Sequence, residues 1–215
     1  MSGPEAPPAI AVLDYGIGNL RSAEKALQRC GADARLVRDP DLARRSPAVV
    51  LPGVGAFGRC MEALEGSGLD NVAKEAAADG RPFLGICVGM QLLYGGSEES
   101  PGVAGLGILE GVIGRIPPGI TCPQMQWNQV IPRGEDVPML AGLGAGPWMY
   151  FVHSYAAPDG PDVVATCDYG GPVVAAVARG GLWATQFHPE KSGVAGLGLL
   201  ANFVAATRVV SAGDR

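Results

Sequence analysis

The chain has 215 residues, 47% of them hydrophobic and 17% charged, with a formal net charge of −5. That length suits one domain with a large apolar core and excludes extended disorder. The acidic balance and the scatter of the sixteen basic residues exclude a nucleic-acid partner, which needs a concentrated basic face. The densest basic cluster, Arg44-Arg45, reads as a solvated helix face.

Met1 to Ala9 is rich in Pro and small residues, with no basic segment followed by an apolar one. It is expected to be a short flexible arm rather than a secretory signal. The domain proper is expected over 10–208, with 209–215 as a C-terminal tail. Ile10 to Leu13 predicts a strand that ends at the turn Asp14-Tyr15-Gly16-Ile17-Gly18. A helix follows from Asn19 to Cys30, with Leu20, Ala23, Leu27 and Cys30 on one face and Gly31 as its stop. Ala34–Val37 and Ala48–Leu51 read as strands, the second an uninterrupted apolar run that fits a parallel sheet covered on both faces. Helices are expected over Phe57–Leu64 and Asn71–Ala78, then a buried strand over Pro82–Ile86 running into a helix over Val88–Tyr94. This alternation predicts an α/β fold with an open, doubly wound sheet flanked by helices.

From Ile108 to Phe187 the pattern changes to Gly, Pro and short β-rich runs, which predicts antiparallel strands added to the sheet. Val137 to Pro158 carries no formal charge, but Pro138, Gly142, Gly144, Gly146 and Pro147 break it, so no transmembrane helix is expected. Ser192 to Thr207 closes the chain as a helix. No repeat divides the sequence. A soluble, cytoplasmic protein with no membrane partner is expected.

Five cysteines at irregular spacing, with no CxxC pair, argue against a disulfide framework or zinc site and for free thiols. One of them is unlike the rest. In Gly85-Ile86-Cys87-Val88-Gly89 the cysteine lies between two glycines where an apolar strand meets a helix, the pattern of a nucleophile elbow with Cys in place of Ser. Backbone N–H groups and the helix dipole at such a turn favour the thiolate. A small buried hydrophobe is the competing reading for Cys87, and it is the one adopted for Cys30, Cys60, Cys122 and Cys167.

A cysteine nucleophile needs a base held by a third group. The chain has two histidines. His188, in Gln186-Phe187-His188-Pro189-Glu190, follows a strand-like run, and Glu190 can turn its carboxylate onto the ring across the proline. His153, in Tyr150-Phe151-Val152-His153-Ser154-Tyr155, reads as a hydrogen-bonded structural histidine. A metal at His188 and Glu190 lacks further ligands at usable spacing, and neither metal nor cofactor is expected. Leu51 to Phe57 follows a buried strand at the carboxyl edge of the sheet, where Gly53, Val54 and Gly55 can aim backbone N–H groups at an oxyanion. One such donor is worth about 3 kcal/mol. An ordinary turn is the alternative for this segment taken alone.

With these residues assembled, the sequence resembles the class I, triad-type glutamine amidotransferases, and among them the glutaminase subunits of imidazole glycerol phosphate synthase. The carriers are Asp14 to Leu20, Leu51 to Phe57, Gly85 to Leu93, Tyr150 to Tyr155 and Gln186 to Ser192, so the resemblance spans nearly the whole chain after the arm. It implies that Cys87 attacks the side-chain amide of L-glutamine, that His188 shuttles protons and that Glu190 orients it. It further implies that Gln91 and Glu99 hold the amino-acid end of glutamine. The ammonia would pass to a (β/α)8-barrel cyclase in a heterodimer, with Asn19, Trp127, Asn128 and Lys191 at or near the interface and signalling between the subunits. For Trp127 a place in the core is the alternative. Relatives of this kind commonly carry P-H-M-G-W-N, whereas this chain has Pro123-Gln124-Met125-Gln126-Trp127-Asn128. The other readings are a glutaminase for a different synthase and a catalytically silent docking subunit. The D-Y-G-x-G-N-L and F-V-H-S-Y segments weigh against the first, and the intact Cys87, His188 and Glu190 against the second.

Overall fold

The computed structural model describes residues 6–117, 119–134 and 136–213, with side chains to residue 208. Most of the expected arm lies outside the described residues. The first strand begins at Ala9, and β1 (Ala9–Leu13), α1 (Leu20–Arg29) and β2 (Asp33–Val37) form the first unit. Leu20, Ala23, Ala26 and Leu27 give α1 its buried stripe. Next comes α2 (Pro40–Arg44), too short for any periodicity to reveal, started by Asp39, whose carboxylate accepts from Asp41 N and Leu42 N with Pro40 behind it. Arg44, at its end, is held by Glu75 and Asp41 at 2.9 and 2.8 Å.

β3 (Val49–Gly53) and β4 (Phe83–Cys87) are buried at every position, and α3 (Phe57–Gly66) and α4 (Leu69–Ala78) connect them. α5 (Val88–Gln91) is shorter than the expected Val88–Tyr94. The carbonyls of Leu92 and Leu93 accept from Leu106, Ile108 and Leu109 instead of from the next helical turn, which ends the helix. The later half adds β5 (Gly114–Arg115), β6 (Gln124–Gln129), β7 (Ile131–Pro132), β8 (Trp148–His153) and β9 (Tyr155–Ala156). β10 (Val163–Asp168), β11 (Pro172–Arg179), β12 (Leu182–Thr185) and α6 (Gly193–Gly213) complete the chain, α6 running beyond Thr207 into the expected tail.

The main sheet has the order β2-β1-β3-β4-β12-β11-β10-β7. It is parallel from β2 to β12 and antiparallel beyond. The expectation of strands added to the sheet therefore holds for β7, β10 and β11 but not for the rest. β5 with β9 and β6 with β8 form two separate antiparallel ribbons. No helix among the described residues is long and apolar enough to cross a membrane.

This topology positions the site. Because β1, β3, β4 and β12 are parallel, their carboxyl ends share one edge, which gathers Asp14–Gly18, Val54–Ala56, Cys87 and Gln186–Lys191. The carboxyl edge of a parallel sheet is where such folds bind ligands.

Candidate active site

Cys87 has φ +55° and ψ −110°, and it is the one non-glycine with positive φ among the described residues. A β-carbon is strained there, and strain of this kind persists only where the surroundings hold it. The neighbours show how. A Cβ on Gly89 would lie 1.8 Å from the Leu51 carbonyl oxygen, and one on Gly85 would press on Ala184 and Gly89 at 3.1 Å. Only glycine permits α5 to run so close against β3, and that approach turns the chain at Cys87.

His188 is 2% exposed, in a loop pinned from two sides. Its N–H donates to the Tyr150 carbonyl, and its carbonyl accepts from the Ser192 hydroxyl at 2.6 Å. Nδ1 lies 2.8 Å from Glu190 Oε1, so Nδ1 carries a proton and the other ring nitrogen is free for Cys87. Burial alone pulls the imidazolium down. The hydrogen bonds and charges of Cys87 and Glu190 more than offset it, leaving the ring pushed up to about 9. Glu190 Oε2 is buried with no hydrogen-bond partner among the described residues.

These groups open on a cavity of about 600 Å³ lined by Cys87, His188, Val54, Gly55, Gln91 and Glu99. Gly53 stands behind it, packed on Gly89 and Tyr15. The segment after β3 is clamped: the Tyr15 hydroxyl donates to the Pro52 carbonyl at 2.6 Å, and the Cys60 thiol to the Val54 carbonyl at 3.3 Å. Glu99 Oε2 accepts from Phe57 N at 2.8 Å, so this carboxylate caps α3 while it lines the cavity. Among the described residues no group of acidic, thiol and imidazole side chains could hold a metal ion.

A strained thiol, a charged imidazole and a carboxylate beside a cavity of this size can attack an acyl carbon and pass a proton to its leaving group. The glutamine amidotransferase class-I sequence profile matches residues 11–207. The chain belongs to the class-I glutamine amidotransferases. The amidotransferase is 50% identical over 202 residues to the imidazole glycerol phosphate synthase subunit HisH of Deinococcus radiodurans, covering 92% of this chain and 94% of that one. It is also 50% identical over 200 residues to the HisH subunit of Methanothermobacter thermautotrophicus, covering 93% and 99%. Among solved structures, it resembles a glutamine amidotransferase with a TM-score of 0.72 at 22% identity, covering 92% and 98% of the two chains. A second resemblance is to a GMP synthase component from Thermoplasma acidophilum, with a TM-score of 0.71 at 20% identity and 98% of each chain covered. At such identities these two structures speak to the fold.

Of the residues expected at a partner interface, Asn19 and Lys191 line the cavity of the amidotransferase. Trp127 stands outside the core, 48% exposed on β6 and edge-to-face with Tyr150 at 6.1 Å. Asn128 turns back, donating to the Asp168 carbonyl at 2.8 Å. Cys60 and Cys167 are buried as expected, whereas Cys122, in the bend before β6, is exposed and Cys30, the C-cap of α1, is half-buried. His153 is bonded at both ring nitrogens, as a structural histidine should be, and also lines the cavity. Sequence reading missed Gln186 beside Cys87, the Tyr15 and Cys60 clamps, and Ser192. Of these, Gln186, Tyr15 and Ser192 carried a signal: they stand inside the segments on which the resemblance rests.

Proposed function

We propose that this chain is the glutaminase subunit of an imidazole glycerol phosphate synthase, acting in the cytoplasm through a Cys87-His188-Glu190 triad. The observation that carries the triad is the strained Cys87 beside an imidazole that Cys87 and Glu190 together hold charged. The pathway rests on the 50% identity to the HisH subunits.

The Cys87 thiolate attacks the side-chain carbonyl carbon of L-glutamine, and the electron pair moves onto oxygen. N–H groups of the Gly53-Val54-Gly55 segment stabilise that oxyanion. His188 gives its proton to the nitrogen as the C–N bond breaks and ammonia leaves. The resulting thioester is attacked by water, whose proton His188 takes; glutamate departs and the thiolate is restored. Gln91 and Glu99 hold the amino-acid end of the substrate. Free thiols throughout suit a reducing compartment.

A subunit implies a partner, and we assign that role to a (β/α)8-barrel cyclase in a heterodimer. It would consume the ammonia in making imidazole glycerol phosphate and aminoimidazole carboxamide ribotide. Met125, Trp127 and Trp148 are 65%, 48% and 54% exposed on the β6–β8 ribbon. Two exposed tryptophans beside a methionine suit an interface that buries about 800 Å² per partner. Pro123, at the foot of β6, lines the cavity, so a partner seated here with Asn19, Asn128 and Lys191 would cover its mouth.

Cys87→Ala tests the reading. Glutamate release should vanish while the assembled synthase still works on added ammonium. Glutamine hydrolysis by the variant would overturn the assignment.

A further inference from the structure

Cys87 has a second polar neighbour besides His188, and strand register brings it there. β12 pairs with β4 in parallel, Thr185 opposite Ile86, so the next residue, Gln186, comes beside Cys87. The backbone around Gln186 is fixed. Its N–H donates to the Ala175 carbonyl at 2.8 Å, and the Thr185 hydroxyl donates to the Phe187 carbonyl at 2.9 Å. Phe187 is buried edge-to-face on Phe151 at 5.5 Å. The Gln186 side chain is buried as well, and its Nε2 lies 3.7 Å from the Cys87 sulfur.

Which end of this carboxamide faces the sulfur is set from outside. The Tyr155 carbonyl can only accept, and it lies 3.0 Å from the Gln91 side chain, so it takes the Nε2 end of that amide. The same Nε2 donates to Gln186 Oε1 at 3.0 Å. Gln186 is left with its own Nε2, a donor, against the sulfur. An amide does not hand over its proton, so it stabilises a thiolate without neutralising it, as an imidazolium can. The Val152 carbonyl, 4.0 Å from the sulfur, can only accept and so favours the protonated thiol. Gln186 opposes that carbonyl, and its bond gains strength when the sulfur is charged.

We propose that Gln186 is a catalytic residue of the glutaminase site: its carboxamide, oriented by Gln91 and the Tyr155 carbonyl, donates to the Cys87 sulfur and holds it as the thiolate. It acts at both ends of the cycle. Before attack it keeps the electron pair on sulfur available, and after hydrolysis it receives that pair back as the C–S bond of the thioester breaks. The proton still travels through His188. The inference rests on Cys87 as the nucleophile.

The test is alkylation of the full chain with iodoacetamide across pH, each cysteine peptide being followed by mass spectrometry. Gln186→Met keeps the volume and removes the donor. On the acid side of the profile Cys87 should then react about tenfold more slowly, the lower share of a hydrogen bond to a charged group. The two rates should converge as pH rises and the thiolate forms unaided. Exposed Cys122 is the reference and should not change, while buried Cys60 and Cys167 stay protected if the fold is intact. Gln186→Glu keeps the acceptor for Gln91 but turns an anionic oxygen to the sulfur, and should slow Cys87 at least as much. A Cys87 rate within twofold of native on the acid side, in whichever variant folds, would overturn the proposal. So would a deficit in Gln186→Met that persists undiminished at high pH, the mark of a merely structural change. Alkylation does not depend on turnover, so a wrong nucleophile assignment is told apart: Cys87→Ala would then still hydrolyse glutamine, whatever the alkylation pattern.

Discussion

Replacing Glu190 with glutamine removes one charge from a pair whose two side chains are 2% and 3% exposed, while preserving shape. The amide oxygen of the new side chain can still accept from Nδ1–H across the 2.8 Å contact. What is lost is the charge assistance of that bond and the pull that keeps the imidazole protonated. A hydrogen bond to a charged partner is worth about 1.5–3 kcal/mol and a neutral one about 0.5–1.5, so the loss is about 1–1.5 kcal/mol and kcat/KM for glutamine should fall roughly 5- to 13-fold. The direction in pH is equally defined. Activity needs the thiolate beside a protonated His188, and it fails as that ring loses its proton near pH 9 in the native chain. Without the Glu190 charge the alkaline limb of the profile should move to lower pH. Glutamate release by the assembled synthase, coupled to glutamate dehydrogenase, measures both effects, and ammonium-dependent synthesis reports on an intact fold. A variant within threefold of native activity with an unmoved alkaline limb would refute the orienting role of Glu190.

Trp127→Ala should weaken association with the cyclase at least tenfold, as expected for a central aromatic anchor, and leave the melting temperature of the isolated chain near native. Titration calorimetry against the partner checks this, and unchanged affinity would remove Trp127 from the interface. Thermal stability should peak between the two histidine limbs. His188, raised above its unfolded value, contributes stability below about pH 6.5 that is lost as pH climbs through about 9. His153, depressed to about 4, contributes stability above about pH 6.5 that is lost as pH falls toward 4. Melting curves across pH should show the alkaline limb flattened in His188→Asn, and a limb that survives unchanged would contradict the assignment.

The parallel half of the fold was legible because its signals are local. Val49–Gly53 and Phe83–Cys87 are continuous apolar runs that only a doubly covered sheet buries, and α1 shows its stripe in Leu20, Ala23 and Leu27. The elbow was legible for the same reason, since a cysteine between glycines at a strand–helix junction describes its own backbone. α2 was read only as a helix face at Arg44-Arg45, without bounds, because five residues hold no period and its start depends on the Asp39 cap. The end of α5 was misplaced because distant residues 106–109 claim its carbonyls.

The sequence by itself determined the doubly wound core, the identity of Cys87, His188 and Glu190 as the candidate machinery, and the resemblance that names their chemistry. Tertiary structure alone decided what joins them. Cys87 and Gln186 stand ninety-nine positions apart, and Gln124 and Cys167 forty-three. No spacing rule connects such residues, because their contact follows from β12 lying beside β4 and from the β6–β8 ribbon folding over the sheet edge.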